Sequence, residues 1–131
     1  MTLDEYNGFC ASLPSTTHVV QWGGSDVWKV GGKVFAVAGW GDGKSLHVTF
    51  KCLDASYDML KEQPGLRPAP YFASRGMTWI QRQTGETMDD DALRDYIRES
   101  HRVVHGNLPK RIRSELAKVI ARTDPASGFG R

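Results

Sequence analysis

Ala38-Gly-Trp-Gly-Asp-Gly-Lys-Ser45 has the spacing of a relaxed phosphate-binding loop in which alanine replaces the first glycine. Such loops hold phosphate because they open a helix whose first amide N–H groups converge on the anion. The residues after Lys44 alternate instead, with Leu46, Val48 and Phe50 on one side and His47, Thr49 and Lys51 on the other. A period of two marks a half-buried strand, so this segment reads as a glycine-rich turn between strands. His101 and His105 stand one helical turn apart, a spacing that can hold a metal. No glutamate follows His101, and Arg98 and Arg102 crowd the same side, so a solvated helix face accounts for the pair. No metal or other cofactor is expected. There is no Gly-x-Ser-x-Gly elbow and no arguable Cys–His arrangement, and the aspartates at 89 to 91 suit a helix start. No catalytic residue is assigned, and the reading is of a protein that is not an enzyme.

Two other sets of residues could bind rather than react. From Arg94 onward there are nine Lys or Arg against four acids, whereas residues 29–93 balance at eight each. Arg94, Arg98 and Arg102 recur every four residues, opposite Leu93, Ile97 and Val104. Salt bridging explains such a ridge, with Asp90 to Arg94 and Glu115 to Lys118 suitably spaced. A phosphate-binding surface is the sharper reading, made by Arg98, Arg102, Lys110, Arg111 and Arg113 with Lys29 and Lys33 from a hairpin tip. Charge alone favours the salt bridges. The second set is aromatic. Trp22 and Trp79 fit a core, whereas Trp40 sits within a glycine turn where it could be exposed. Trp40, Tyr71, Phe72 and Arg75 form the alternative site, for a small ligand or a protein partner, on the loops Gly39–Gly43 and Pro68–Ser74.

The element that must position these groups runs from Asp26 to Ala38. Gly31-Gly32 splits two β-rich runs, and a type I′ turn needs positive φ at both of its central residues. A two-residue loop predicts Val30 opposite Lys33, Lys29 opposite Val34 and Trp28 opposite Phe35. Trp28, Val30, Phe35 and Val37 then share a face. Before the hairpin, Thr2-x-x-Glu5 is a capping box for a helix that buries Tyr6, Phe9, Cys10 and Leu13 and ends at Pro14. A short strand follows at His18 to Trp22. After it come the strand through Val48, a helix capped by Asp54 that stops at Pro64-Gly65, and a proline-rich crossing loop from Leu66 to Met77. Thr78 to Gln83 is a further strand with Trp79 inward. Two helices close the chain, one from Asp91 to His105 and one after Pro109 carrying Ile112, Leu116 and Val119. This order predicts an α+β domain with an antiparallel sheet of about five strands and helices packed on one face. The domain spans 1–122, and 123–131 reads as a flexible tail.

At 131 residues and net charge +2, with a sequence pI near 8.6, the chain is one domain's length and only weakly basic. No segment is apolar enough for a membrane span, and the acidic start is unlike a signal peptide, so a cytoplasmic protein is expected. Cys10 and Cys52 form no Cys-x-x-Cys pair and read as inert buried thiols. A monomer is expected.

Taken together, these residues resemble the YjbR-like (MmcQ) family of small bacterial proteins. The hairpin Val27-Trp-Lys-Val-Gly-Gly-Lys-Val-Phe-Ala36, Phe50-Lys-Cys52 and Gln63-Pro-Gly65 carry the likeness first. Pro70-Tyr71, Trp79, the helix to His105 and Leu108-Pro-Lys-Arg-Ile-Arg113 extend it from Phe9 to Leu116. The resemblance implies a fold likened to the frataxin (CyaY) type and DNA as partner, and the charge pattern offers the seven basic residues above for phosphate contacts. It brings no catalytic or cofactor residues. Gln21-Trp22-Gly23-Gly24 stands where many relatives have Pro-Phe-Gly, and Ser74-Arg-Gly-Met-Thr78 replaces a more basic run.

Overall fold

The structure, a computed structural model, describes residues 1–72 and 76–123. Helix α1 (Leu3–Ser12) starts on the Thr2–Glu5 capping box, with both reciprocal bonds made. Strands β1 (Thr16–Gln21), β2 (Ser25–Val30), β3 (Lys33–Ala38) and β4 (Val48–Lys51) follow. Then come α2 (Asp54–Leu60), β5 (Leu66–Pro68), β6 (Trp79–Arg82), α3 (Asp90–Gly106) and α4 (Lys110–Thr123). The strands form one antiparallel sheet in the order β1-β2-β3-β4-β6-β5.

The sheet therefore has six strands, not five. The extra one is β5, which lies inside the proline-rich segment expected to be a loop. An edge strand needs ladder bonds on one side only, so Pro68 is tolerated there. Asp54 is also displaced from its expected place. Leu53 is the N-cap of α2, without a side-chain bond, and Asp54 is the first helical residue.

The diglycine corner forms as read. Gly31 and Gly32 have φ of +58° and +79°, and Val30 faces Lys33 while Lys29 faces Val34. A β-carbon on Gly31 would lie 2.5 Å from Leu108 Cδ1, so glycine is needed at this corner both for its backbone angle and for the close approach of Leu108. Past Lys29 the expected register fails, because Trp28 pairs with Ala36 and Phe35 is an extra residue in β3. A bulge of this kind lets two successive side chains point to one face. Phe35 and Ala36 both join Trp28, Val30, Phe50 and Ile80 in the core beneath α1 and α3. Val37 is thereby turned to the other face, in one row with Val27, Thr49, Gln81 and Arg67.

Ser100 of α3 fills the gap the bulge leaves. Its hydroxyl donates to the Phe35 carbonyl (2.7 Å) and accepts from the Lys51 N–H (2.9 Å), and it is fully buried. Helix and sheet are thus locked by a hydrogen-bonded bridge as well as by Leu93 and Ile97 packing on the same face. Asp89 caps α3, accepting from the Ala92 N–H (2.8 Å). Asp90 pairs with the Met1 amino group and with Arg82, and the amino group foremost, then the guanidinium, holds its carboxyl below the usual carboxylate range. Arg94 takes Asp91 as its partner in place of the expected Asp90. Cys10 and Cys52 are buried and free, and burial pushes their thiols up to about 12 and about 11. No helix among the described residues is long and apolar enough to cross a membrane.

Ser100→Ala strips the Lys51 N–H and the Phe35 carbonyl of their shared partner. It is expected to cost about 1–3 kcal/mol in chemical denaturation. Gly31→Ala, strained and colliding with Leu108, is expected to cost more than Gly32→Ala, which meets nothing within 4 Å. Equal losses at the two glycines would contradict the packed corner.

Candidate functional site

With α1, α2 and α3 contributing to the core on one face, the other face of the sheet is finished by loops. Two loop residues, Gly39 and Trp40, are tied down onto it. Gln81, fully buried in β6, donates from Nε2 to the carbonyls of Trp40 (3.1 Å) and Gly39 (3.3 Å). Arg67 of β5 donates from Nε to Gln81 Oε1 (2.7 Å) and from Nη2 to the Trp40 carbonyl (3.4 Å). Gly39 fits beneath because a β-carbon there would lie 2.2 Å from Ser25 Oγ.

Trp40 sits at the centre of the aromatic group this tether creates. Its ring centroid is 5.6 Å from that of Trp22, 5.2 Å from Tyr71 and 5.5 Å from Phe72. Phe72 in turn lies 4.5 Å from Trp79. Trp22, Gly23, Trp40, Tyr71 and Phe72 line an open bowl of about 510 Å³. A second cavity of about 320 Å³ shares Trp22 and Phe72 with it and continues past Trp79 to Lys33, Lys51 and Pro109.

The backbone of the bowl is strained. Four described non-glycine residues have positive φ, and three of them line it: Trp22 (+54°), Trp40 (+58°) and Tyr71 (+69°). The left-handed region costs a side-chain-bearing residue about 1–2 kcal/mol. Such conformations persist where the surroundings over-determine them, and they concentrate at ligand sites.

Of the alternative site, Trp40, Tyr71 and Phe72 are brought together, and Arg75 and Ser74 lie outside the described residues. Trp22, expected in the core, is 47% exposed and is a wall of the bowl. The positive φ of Trp22 sets it at the mouth of the β1–β2 turn, which a two-state core-or-surface reading of the sequence cannot see. Trp79 is buried, but on the face away from α1 and α3, opposite Lys51 in the ladder. Gln81, Arg67 and Thr49 were not singled out in the sequence. Their only signal was polar residues at alternate positions of strands otherwise fit for a core.

The basic residues are divided. Arg98 and Arg102 are held by Asp95 and Glu99, and with Arg113 they line a groove beside α1 that also contains those two acids. Arg98 additionally lies over the Phe9 ring. Lys33 lines the cavity beside the bowl, and Lys29 lies on the outer face of β2 beside Val34. Lys110 and Arg111 are exposed on the first turn of α4. Among the described residues no ion pair engages Lys29, Lys33, Lys110, Arg111 or Arg113.

The loop resembling a phosphate site is a turn between β3 and β4, and no helix follows it. Its amides are turned inward: Asp42 Oδ1 accepts from the N–H of Lys44 (2.9 Å) and Ser45 (3.4 Å). The Lys44 bond, foremost, holds that carboxyl low. His101 is not on a solvated face. It is 8% exposed, meets Phe35 edge-on and places Nε2 2.8 Å from the Pro14 carbonyl. Burial lowers its pKa below the usual histidine value, and the stacked His105 ring adds to this. No cluster of three metal-ligating side chains occurs among the described residues.

The profile of the YjbR family matches residues 11–103. A crystal structure of Deinococcus radiodurans protein DR2400, a DUF419 domain, has a similar fold. The TM-score is 0.75 at 19% identity, over 88% of each chain. No match was found among curated proteins.

Trp22→Gly and Trp22→Ala lose the same ring, but only glycine relieves the positive φ. The glycine variant is expected to be more stable by about 1 kcal/mol, and a more stable alanine variant would contradict the strain. His101 is neutral in the fold at a pH where the unfolded chain, with a histidine pKa of about 6.5, takes up a proton. Stability is therefore lost as pH falls below about 6.5 toward the lower folded value. His101→Gln is expected to lose less of its melting temperature than the parent between about pH 7 and pH 5. An identical loss would contradict this.

Proposed function

The chain belongs to the YjbR family, and we propose that it works as a non-catalytic binding module that takes a planar-ring small molecule into the bowl. The observation that carries this reading is the backbone strain at Trp22, Trp40 and Tyr71. Folding alone would favour glycine or asparagine at such positions. Large rings held there instead, with the Trp40 backbone clamped by Gln81 and Arg67, make a preorganised surface for stacking.

A DNA-binding role has narrower support. Arg98 and Arg102, two of the seven proposed phosphate contacts, already have carboxylate partners. Lys29, Lys33, Lys110, Arg111 and Arg113 carry that second reading. They would give sequence-independent binding that weakens steeply with salt.

Calorimetric titration with 2-naphthol separates the two. Binding is expected for the parent, weakened about tenfold by Trp40→Ala, consistent with the ~1–3 kcal/mol of a stacked ring. It is expected to be unchanged when Lys110, Arg111 and Arg113 are all replaced by glutamine. Duplex DNA bound at low salt and lost in that triple variant, with no 2-naphthol binding by the parent, would reverse the assignment.

A further inference from the structure

The cavity adjoining the bowl differs from it in chemistry. Lys33 and Lys51 both line it, and among the described residues no acidic side chain does and neither lysine has an ion-pair partner. The groove beside α1 is the contrast, since there arginines and carboxylates line the same walls. Trp79 also lines the cavity. It is 4% exposed, and its indole N–H is buried with no hydrogen-bond acceptor among the described residues. Thr49 Oγ1, two residues before Lys51 and on the same face of β4, is likewise buried and without a partner. Buried polar groups left unbonded are rare in folded proteins, so the strands beside this cavity carry polar groups that the fold itself leaves unmatched.

We infer that this cavity is an anion subsite, and that the ligand of the bowl is therefore an aromatic ring bearing a carboxylate or phosphate. The inference rests on the ring-binding reading of the bowl and narrows it. Trp22 and Phe72 belong to both cavities, so a ring seated against them directs a substituent toward Trp79, Lys33 and Lys51. The two ammonium groups supply charge. The apolar walls of Val34, Met77 and Leu108 reduce competition from water.

The test compares 2-naphthoate and 2-naphthyl phosphate with neutral 2-naphthol by calorimetry at low salt. At least one anion is expected to bind about tenfold tighter than 2-naphthol, as a charge-assisted hydrogen bond would give. Which anion leads distinguishes carboxylate from phosphate. Replacing Lys33 and Lys51 together by glutamine is expected to erase the preference, with circular dichroism confirming the fold. In the unaltered protein, raising salt to about 0.5 M is expected to shrink the preference. Equal affinity for anions and 2-naphthol, or a preference that survives both changes, overturns the subsite and leaves the bowl standing. Binding of none of the three overturns both, as does binding of an oligothymidylate strand alone.

Discussion

Phe35 is one residue too many for β3, and the buried Ser100 hydroxyl is what makes the excess tolerable. Without the bulge, strict alternation would put Phe35 and Val37 on one face and Ala36 on the other. With it, Phe35 and Ala36 both face α1 and α3, and Val37 joins the outer row. Ser100 accepts from β4 and donates to β3 at the same point, so it fixes how α3 sits across the centre of the sheet. Everything on the far face follows from that choice. A row running Val27, Val37, Thr49, Gln81 and Arg67 is where the loops must dock.

That outer row is polar at one end for a reason visible in the geometry. Gln81 and Arg67 spend their donors on the Gly39 and Trp40 carbonyls, so the loop is held by bonds rather than by apolar burial. Trp40 is consequently free to present its ring to Trp22, Tyr71 and Phe72 instead of burying it. At Trp40 strain and tether are two sides of one arrangement: a backbone angle that costs energy persists where hydrogen bonds to its carbonyl hold the loop. The helical face carries the main core, and the far face carries the bowl.

Much of this was legible in the chain. The Thr2–Glu5 box, the diglycine corner and the acidic start of α3 each depend on neighbours within a few residues, whereas the strand through Val48 and Phe50, read as half-buried, has His47 and Thr49 buried on its other side as well. What escaped depends on distant partners. The bulge requires Ser100, 65 residues from Phe35, and no local pattern records it. The edge strand β5 is too short and too proline-rich to carry a period, and it exists because β6 lies beside it. His101 looked solvated because its helix face is rich in arginine, yet Pro14 and Phe35 enclose it from other elements. The aromatic loops could be nominated from composition. That Trp22 joins them from the far end of β1 follows only from the turn conformation at its own Cα.

The central claim is that ligand chemistry lies in the loop-built bowl and in the cavity that leads from it to the end of α3. The four tryptophans divide accordingly. Trp28 is on the helical side, its indole N–H donating to Asn7 (2.9 Å), whereas Trp22, Trp40 and Trp79 border the two cavities. Following the four indole N–H signals by nitrogen-15 NMR during addition of 2-naphthoate reads both sides at once. The account predicts that the Trp40 and Trp79 signals move with a common saturation curve while that of Trp28 stays fixed. Movement of Trp28 with Trp40 and Trp79 unmoved would place binding on the helical side and contradict it.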